Sequence, residues 1–147
     1  MIKKVSLRDL NKIYSLEKKI FKSDSFSQNL LQNLIQFNSF FLKLVDPKKP
    51  DKLIGYVIII KDDEHQFNLI NFAICKKYQG RGYGSLLLEK TLSKIKEHIE
   101  INKLILNVKT TNIRAINLYK KYGFQIIGKI ENYYTRNESA YLMELKI

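Results

Sequence analysis

Tyr78-Gln79-Gly80-Arg81-Gly82-Tyr83-Gly84-Ser85 follows an apolar run over 67–75 and opens a strongly patterned helical segment over 85–99. Its glycines at 80, 82 and 84 let the backbone turn through positive φ and leave no side chain in the way. The loop's N–H groups then converge on one point. A helix starting at Gly84 or Ser85 adds its unpaired first-turn N–H groups and the positive end of its dipole. A strand, a glycine loop and a helix N-terminus together make a seat for an anion, most often phosphate. Arg81 adds a fixed positive charge beside it. The same pattern also suits a strand-to-helix turn that holds no ligand.

Three glycine-loop patterns compete here. A dinucleotide fold asks for G-x-G-x-x-G, with an acidic residue about 20 residues further on. These glycines fall as G-x-G-x-G, and the region around 98–102 offers only Glu97 and Glu100, on or just past the helix. A P-loop ends in Gly-Lys-Ser/Thr, which this loop lacks. The acetyl-CoA loop, Q/R-x-x-G-x-G/A, fits Gln79, Gly82 and Gly84 in register.

The 147 residues, 45% of them hydrophobic, predict one domain over 1–147 with one sizeable core. No apolar run reaches the 18 residues of a membrane helix. Met1-Ile2-Lys3-Lys4-Val5-Ser6 has no apolar h-region and does not read as a secretory signal. The single cysteine, Cys75, forms no internal disulfide and fits a reducing cytoplasm. One Cys and two His, far apart, argue against a structural zinc site and predict no metal. The net charge of +12 favours acidic partners: phosphate-bearing cofactors, RNA or a ribosome surface. All but four of the 26 basic residues are lysine, with Ile and Asn also abundant, so compositional bias explains the charge equally well.

Along the chain, 2–5 reads as a short strand. Ser6-Leu7-Arg8-Asp9 is a capping-box variant. Leu10, Ile13, Leu16 or Glu17, and Ile20 give a first helix over about 7–20. Ser25-Phe26-Ser27-Gln28 caps a shorter helix with Leu30, Leu31 and Leu34 on one side. Residues 40–45 form a strand, 46–52 a polar loop with both prolines, and 53–61 a strand buried on both faces. Asp62-Asp63-Glu64-His65 turns into the strand 66–75. Leu88, Leu92, Ile95 and Ile99 mark the helix stripe after the glycine loop. A strand over 103–108, a helix over about 113–122 ended by Gly123, and strands over 125–133 and 140–147 complete the chain. Two helical crossovers imply some parallel pairing. The expected fold is mixed α/β: a sheet with helices on both faces.

Three motifs resemble the GNAT superfamily of acetyl-CoA-dependent N-acetyltransferases. The first is 71–84, Asn71-Phe72-Ala73-Ile74-Cys75 running into the glycine loop. The second is 112–124, which looks like the family's N-x-x-A-x-x-L-Y-x-x-x-G-F, with Asn112, Ala115, Tyr119 and Gly123 in place. The third is Asn132-Tyr133-Tyr134 followed by Glu138-Ser139-Ala140-Tyr141-Leu142-Met143, similar to N-terminal-protein acetyltransferases of the bacterial ribosomal-protein alanine type and archaeal relatives. The resemblance covers 66–147 well and the rest by element order. It implies a mostly antiparallel sheet of about seven strands with a splayed central pair.

It also implies roles. The N–H groups of Gln79, Gly80, Arg81, Gly82, Tyr83, Gly84 and Ser85 would bind the coenzyme A pyrophosphate. Free backbone groups of Phe72, Ala73 and Ile74 would pair with the pantetheine arm like an added strand, and the N–H near Ile74 would serve an oxyanion. Asn112 and Ala115 would stand along the same arm, Asn112 doubling as a helix N-cap. Tyr119 matches the family tyrosine near the sulfur: a phenol is protonated at pH 7 and can donate to a thiolate. Phe21, Ser23 and Ser25, in the turn after the first helix, would flank the incoming peptide opposite Tyr133 and Tyr134. Those two tyrosines sit in a strand, so one would face in and one out. The implied activity is acetylation of a primary amine, most of all a protein or peptide N-terminus, by direct attack in a ternary complex. A small-amine enzyme for a polyamine or antibiotic, and a silent module binding RNA or ribosome, remain alternatives; a polyamine site would want acids, and these loops are short of them.

The base departs from the family. Asn107 stands where N-terminal acetyltransferases often place Glu or His, and an amide takes no proton but can orient a water. Roughly 10–20% of a protein α-amine is neutral at pH 7, against about 0.04% of a lysine. A site without a strong base therefore suits an α-amine. Glu131 is the spare carboxylate. His65 reads as solvated, His98 as a helix C-terminal residue, and Cys75 as small core filler.

Overall fold

The computed structural model describes residues 1–37 and 39–147 of the chain. Seven strands form one sheet in the order β1-β2-β3-β4-β5-β7-β6: β1 Ile2–Lys4, β2 Ser39–Asp46, β3 Lys49–Asp63, β4 Gln66–Ile74, β5 Lys103–Lys109, β6 Gln125–Ile130 and β7 Ala140–Lys146. Among the described residues only β4 and β5 pair in parallel; the other neighbours are antiparallel. Four helices pack on it: α1 Leu10–Phe21, α2 Gln28–Gln36, α3 Tyr83–Ile95 and α4 Ile113–Lys121. Among the described residues no helix is long and apolar enough to cross a membrane.

Central β3 explains the two layers. Its apolar run is buried from Ile54 to Ile59, and alternate residues face opposite ways. Tyr56 and Ile58 meet Ile13 and Leu16 of α1 and Leu31 of α2. Val57 and Ile59 share a second core with Leu87 and Leu88 of α3, Ile116 of α4 and Leu104 and Leu106 of β5. Each fully buried Leu or Ile contributes about 1.5–3 kcal/mol of transfer free energy. The helices therefore cover both faces.

Several boundaries differ from the sequence expectation. The polar loop over 46–52 shrinks to a tight turn, because Asp46 already pairs with Lys49 and β3 begins there. The first helix begins as a 3-10 turn, Leu7–Asp9, closed by the Ser6–Asp9 capping box, and α1 follows. Helix α3 starts at Tyr83, earlier than the expected Gly84 or Ser85, with Gly82 as its left-handed cap. It stops at Ile95: the next bonds are tight turns from Glu97 N–H to Lys94 O and His98 N–H to Ile95 O. Ile99 is consequently 96% exposed, and Ile101 fills the core position instead. Strand β6 stops at Ile130, and Asn132 takes positive φ, so Tyr133 and Tyr134 lie in a loop rather than in a strand.

The sheet opens in the middle. β4 and β5 pair from Gln66↔Lys103 to Leu69↔Leu106. Beyond that, β4 stays with β3 as far as Ile74↔Gly55, while β5 stays with β7 as far as Lys109↔Ala140. A bulge lies at the branch: Ile58 faces Asn71 and Ile59 faces Leu69, so Ile70 is the extra residue.

Candidate active site

A cavity of about 560 Å³ occupies the split. Its walls are residues 68–72 of β4 and Asn107, Val108 and Lys109 of β5, with Asn112, Ala115 and Tyr119 from α4 and its cap. Ile20, Phe21, Asp24 and Phe26 close one side of the other end, and Tyr133 and Tyr134 the opposite side.

The glycine loop sits beside this split. Gly80 has φ +76° and Gly82 +85°, and a Cβ at either position would meet nothing within 4 Å. Both therefore need glycine for backbone conformation, and both leave open space above the loop. The first helical bond of α3 runs from Leu86 N–H to Gly82 O, so the N–H groups of Tyr83, Gly84 and Ser85 precede it. Gln79 braces the loop: its Nε2 donates to Ile74 O at 3.0 Å and its Oε1 accepts from Arg114 at 3.3 Å. Tyr122 donates to Ser85 O at 3.2 Å, tying α4 to α3. Arg81 is exposed. Ala73 and Ile74 are buried and do not line the cavity, while Phe72 does. Open space at two left-handed glycines, a helix N-terminus and a stretch of β4 that has left β5 suit a pyrophosphate followed by an amide-bearing arm.

Tyr119 is both packed and placed at the cavity. Its ring meets Phe72 edge-on at 6.1 Å and Phe124 at 5.6 Å, and only 5% of the residue is exposed. Burial pushes its phenol well above the ordinary tyrosine value, and Tyr134 adds to this. It is therefore protonated throughout the neutral range. Asn112 accepts from Ala115 N–H at 3.3 Å as the α4 cap. Asn107 donates through Nδ2 to the Tyr133 hydroxyl at 3.2 Å, and its buried Oδ1 has no partner among the described residues.

The far end is built by side-chain bonds between distant segments. Phe21 ends α1 and faces the cavity. Ser23 bonds the Thr135 hydroxyl at 2.7 Å, outside the lining, and Ser25 donates its N–H to Lys22 O within the turn. Asp24 accepts from Thr135 N–H at 3.0 Å and pairs with Lys109 at 3.2 Å. Lys109 also reaches Glu138 at 3.4 Å and lies over the Tyr134 ring. Burial disfavours the Asp24 carboxylate, but Thr135 and Lys109 outweigh it and hold its pKa below the usual range. Tyr133 and Tyr134 pack edge-to-face at 4.9 Å, and both line the cavity. Leaving the strand freed them from the one-in, one-out rule.

Other residues fall away from the site. Glu131 is exposed, bonded by Ser139 and Lys129. Cys75 gives its thiol to Leu53 O, and burial raises its pKa. His98 packs edge-on against Phe40 and Phe67. The sequence reading held Asp24 only as part of the flanking turn 21–25, and missed Phe26, Asn68 and Asn71 as cavity residues, with Glu17 behind them. The loops are thus less poor in acids than expected, although Asp24 is already paired. Glu17 did leave a signal: a charge inside the apolar stripe of the first helix.

A splayed parallel pair, a glycine loop at a helix N-terminus and a buried tyrosine at the split define an acyl-CoA-dependent transferase. The acetyltransferase (GNAT) family matches residues 7–124, and the chain belongs to that family. It is an acetyl-CoA-dependent N-acetyltransferase. A Bacillus subtilis protein assigned as a ribosomal protein bS18-alanine N-acetyltransferase is 33% identical over 153 residues, covering 99% of this chain and 95% of that protein. Among solved structures, Ard1 from Thermoplasma volcanium superposes with TM-score 0.88 at 25% identity, covering 100% of this chain and 97% of that one. The ribosomal-protein-S18-alanine N-acetyltransferase from Escherichia coli gives 0.86 at 26%, covering 100% and 93%.

Proposed function

We propose that this protein acetylates the N-terminal α-amino group of a protein or peptide by direct attack in a ternary complex. The observation that carries the reading is the far end of the cavity. Two aromatic walls, Phe21 with Phe26 and Tyr133 with Tyr134, are tied together by Ser23, Asp24 and Thr135, leaving an aromatic-walled approach suited to a chain terminus. Relatives named for protein N-terminal acetylation support it.

Acetyl-CoA supplies an acetyl group activated as a thioester. The loop 79–85 would hold its pyrophosphate on backbone N–H groups, and the backbone edge of Phe72, Ala73 and Ile74, with Asn112 and Ala115, would align the arm along the split. Tyr119 would give its phenolic proton to the coenzyme A sulfur as the C–S bond breaks and the N–C bond forms, and would regain a proton from solvent. Asn107 orients the amine or a water that takes the amine's surplus proton. Direct attack is supported by the lining, which offers no thiol; Cys75 is outside it. The N-terminal substrate is supported by the one carboxylate among the described lining residues, Asp24, which is paired with Lys109 and whose lowered pKa makes it a weak base. Work in the cytoplasm and contact with a ribosome, to which the +12 charge is suited, belong to the same reading.

The test is thiol release from acetyl-CoA with short peptides bearing free N-termini, the same peptides blocked at the N-terminus but carrying lysine, and spermidine. Turnover with the free N-termini alone is expected. Equal or faster turnover with blocked peptides or spermidine overturns the substrate class.

A further inference from the structure

We propose that Asn71 is a second hydrogen-bond acceptor for the attacking amine, and that Glu17 is the positioning residue that turns it toward the cavity. The inference rests on the transferase reading above and extends it to how the nucleophile is held.

Glu17 is fully buried in α1, and no cation pairs with it among the described residues. Three donors converge on it instead: Phe26 N–H at 2.8 Å, the Tyr56 hydroxyl and Asn71 Nδ2. Burial raises the pKa of Glu17 and the three hydrogen bonds oppose that shift; Asn71 presents its NH₂ group to the Glu17 oxygen. The planar amide then leaves Oδ1 as the free acceptor. Asn71 lines the cavity, beside the bulged Ile70 where β4 leaves β5. Across the split, Asn107 carries its own unpartnered, buried Oδ1. Asn71 and Asn107 thus line the split from its two strands, each with an amide oxygen that no described residue bonds.

A neutral primary amine has two N–H bonds and one lone pair. On entering a buried site it loses its bonds to water, which is costly unless they are replaced. Two acceptors on opposite walls take the two hydrogens and leave the lone pair for the acetyl carbon. A secondary amine fills only one acceptor and strands the other.

The experiment compares kcat/KM for a peptide beginning with alanine and the same peptide beginning with N-methylalanine. The wild type should favour alanine by about tenfold, the worth of one lost hydrogen bond with its stranded partner. Asn71→Ala should lower kcat/KM for the alanine peptide and shrink the ratio to within about threefold, as expected from the same loss. Acetyl-CoA affinity should not change. Glu17→Gln should shrink the ratio in the same way, because a glutamine amide no longer dictates which end of Asn71 it meets. A purely structural role would slow both peptides alike and leave the ratio at its wild-type value, and that result overturns the proposal. Should Asn71→Ala fail to fold, Asn71→Ser keeps a small polar side chain on the strand and gives the same readout. If the wild type acetylates small amines but no peptide, the N-terminal reading fails and the ratio is read with benzylamine and N-methylbenzylamine. If it acetylates no amine, both readings fall.

Discussion

The two ends of the cavity are assembled in opposite ways. At the glycine-loop end, residues 72–85 and 112–119 carry the shape in two short segments, and local spacing sets it: left-handed glycines, a helix cap and a tyrosine two turns into α4. At the far end, bonds join residues 112 and 111 positions apart, Ser23 and Asp24 to Thr135. Glu17 reaches Asn71 across 54. One end is written in the local grammar of the chain, the other exists only after folding. Point changes at the first end should therefore abolish a function outright, whereas those at the second should weaken the grip on the acceptor.

The largest effect is expected at Tyr119. Tyr119→Phe removes the proton donor and keeps the ring between Phe72 and Phe124. Turnover should fall by about 10²- to 10⁴-fold, the usual worth of a general acid, with little change in melting temperature. A folded variant with wild-type turnover would leave Tyr119 as a core residue only.

Gly82→Asp comes next. It forces a side chain onto a φ of +85° and sets a carboxylate where the seat accepts an anion. Acetyl-CoA affinity by calorimetry should drop by about a hundredfold or more, given like-charge repulsion of several kcal/mol at short range. Unchanged affinity would remove the loop from the cofactor site and dissolve the contrast between the two ends.

Asp24→Asn probes the assembled end. It weakens the pair with Lys109 and the bond from Thr135, each worth about 1 kcal/mol or less. Peptide KM should rise about three- to tenfold, while kcat and acetyl-CoA affinity stay put. The pKa of Asp24 is depressed by folding, so its contribution is complete above its unfolded value of roughly 4 and is lost only as pH falls through the lower folded value. Between pH 6 and 9 this tie should show no pH dependence.

The smallest effect is expected at Asn107. Asn107→Ala should slow transfer within about tenfold, the scale of one hydrogen bond. Asn107→Glu should leave activity near pH 7 equal or higher, because it restores a carboxylate at the point where the family often has one.

The sequence carried the same division. The order of elements, the helices on both faces and the strand-loop-helix seat were readable, because periodicity and glycine spacing are local properties. Ile99 misled because it continued the α3 stripe by spacing alone, and helix propensity could not reveal that Ile101 would compete for the same core. Tyr133 and Tyr134 misled because a strand pattern carries through Glu131 and Asn132 until positive φ at Asn132 breaks it. The ties of Asp24 to Thr135 and Lys109, and the place of Asn71 at the cavity, could not be read without tertiary contacts. Glu17 stood in plain view as a charge in an apolar stripe, but its partners lie on β3, β4 and the turn before α2.

The most direct measurement uses one peptide with a free N-terminal alanine and one internal lysine, incubated with acetyl-CoA from pH 6 to 9 and mapped by fragmentation mass spectrometry. A single acetyl group is expected on the α-amine, formed at a rate that climbs to about pH 8 and then levels as the amine itself deprotonates. No fall should follow at pH 9, because burial holds the Tyr119 proton in place beyond that range. Acetylation of the lysine side chain, or an α-amine rate already level at pH 6.5, would contradict it.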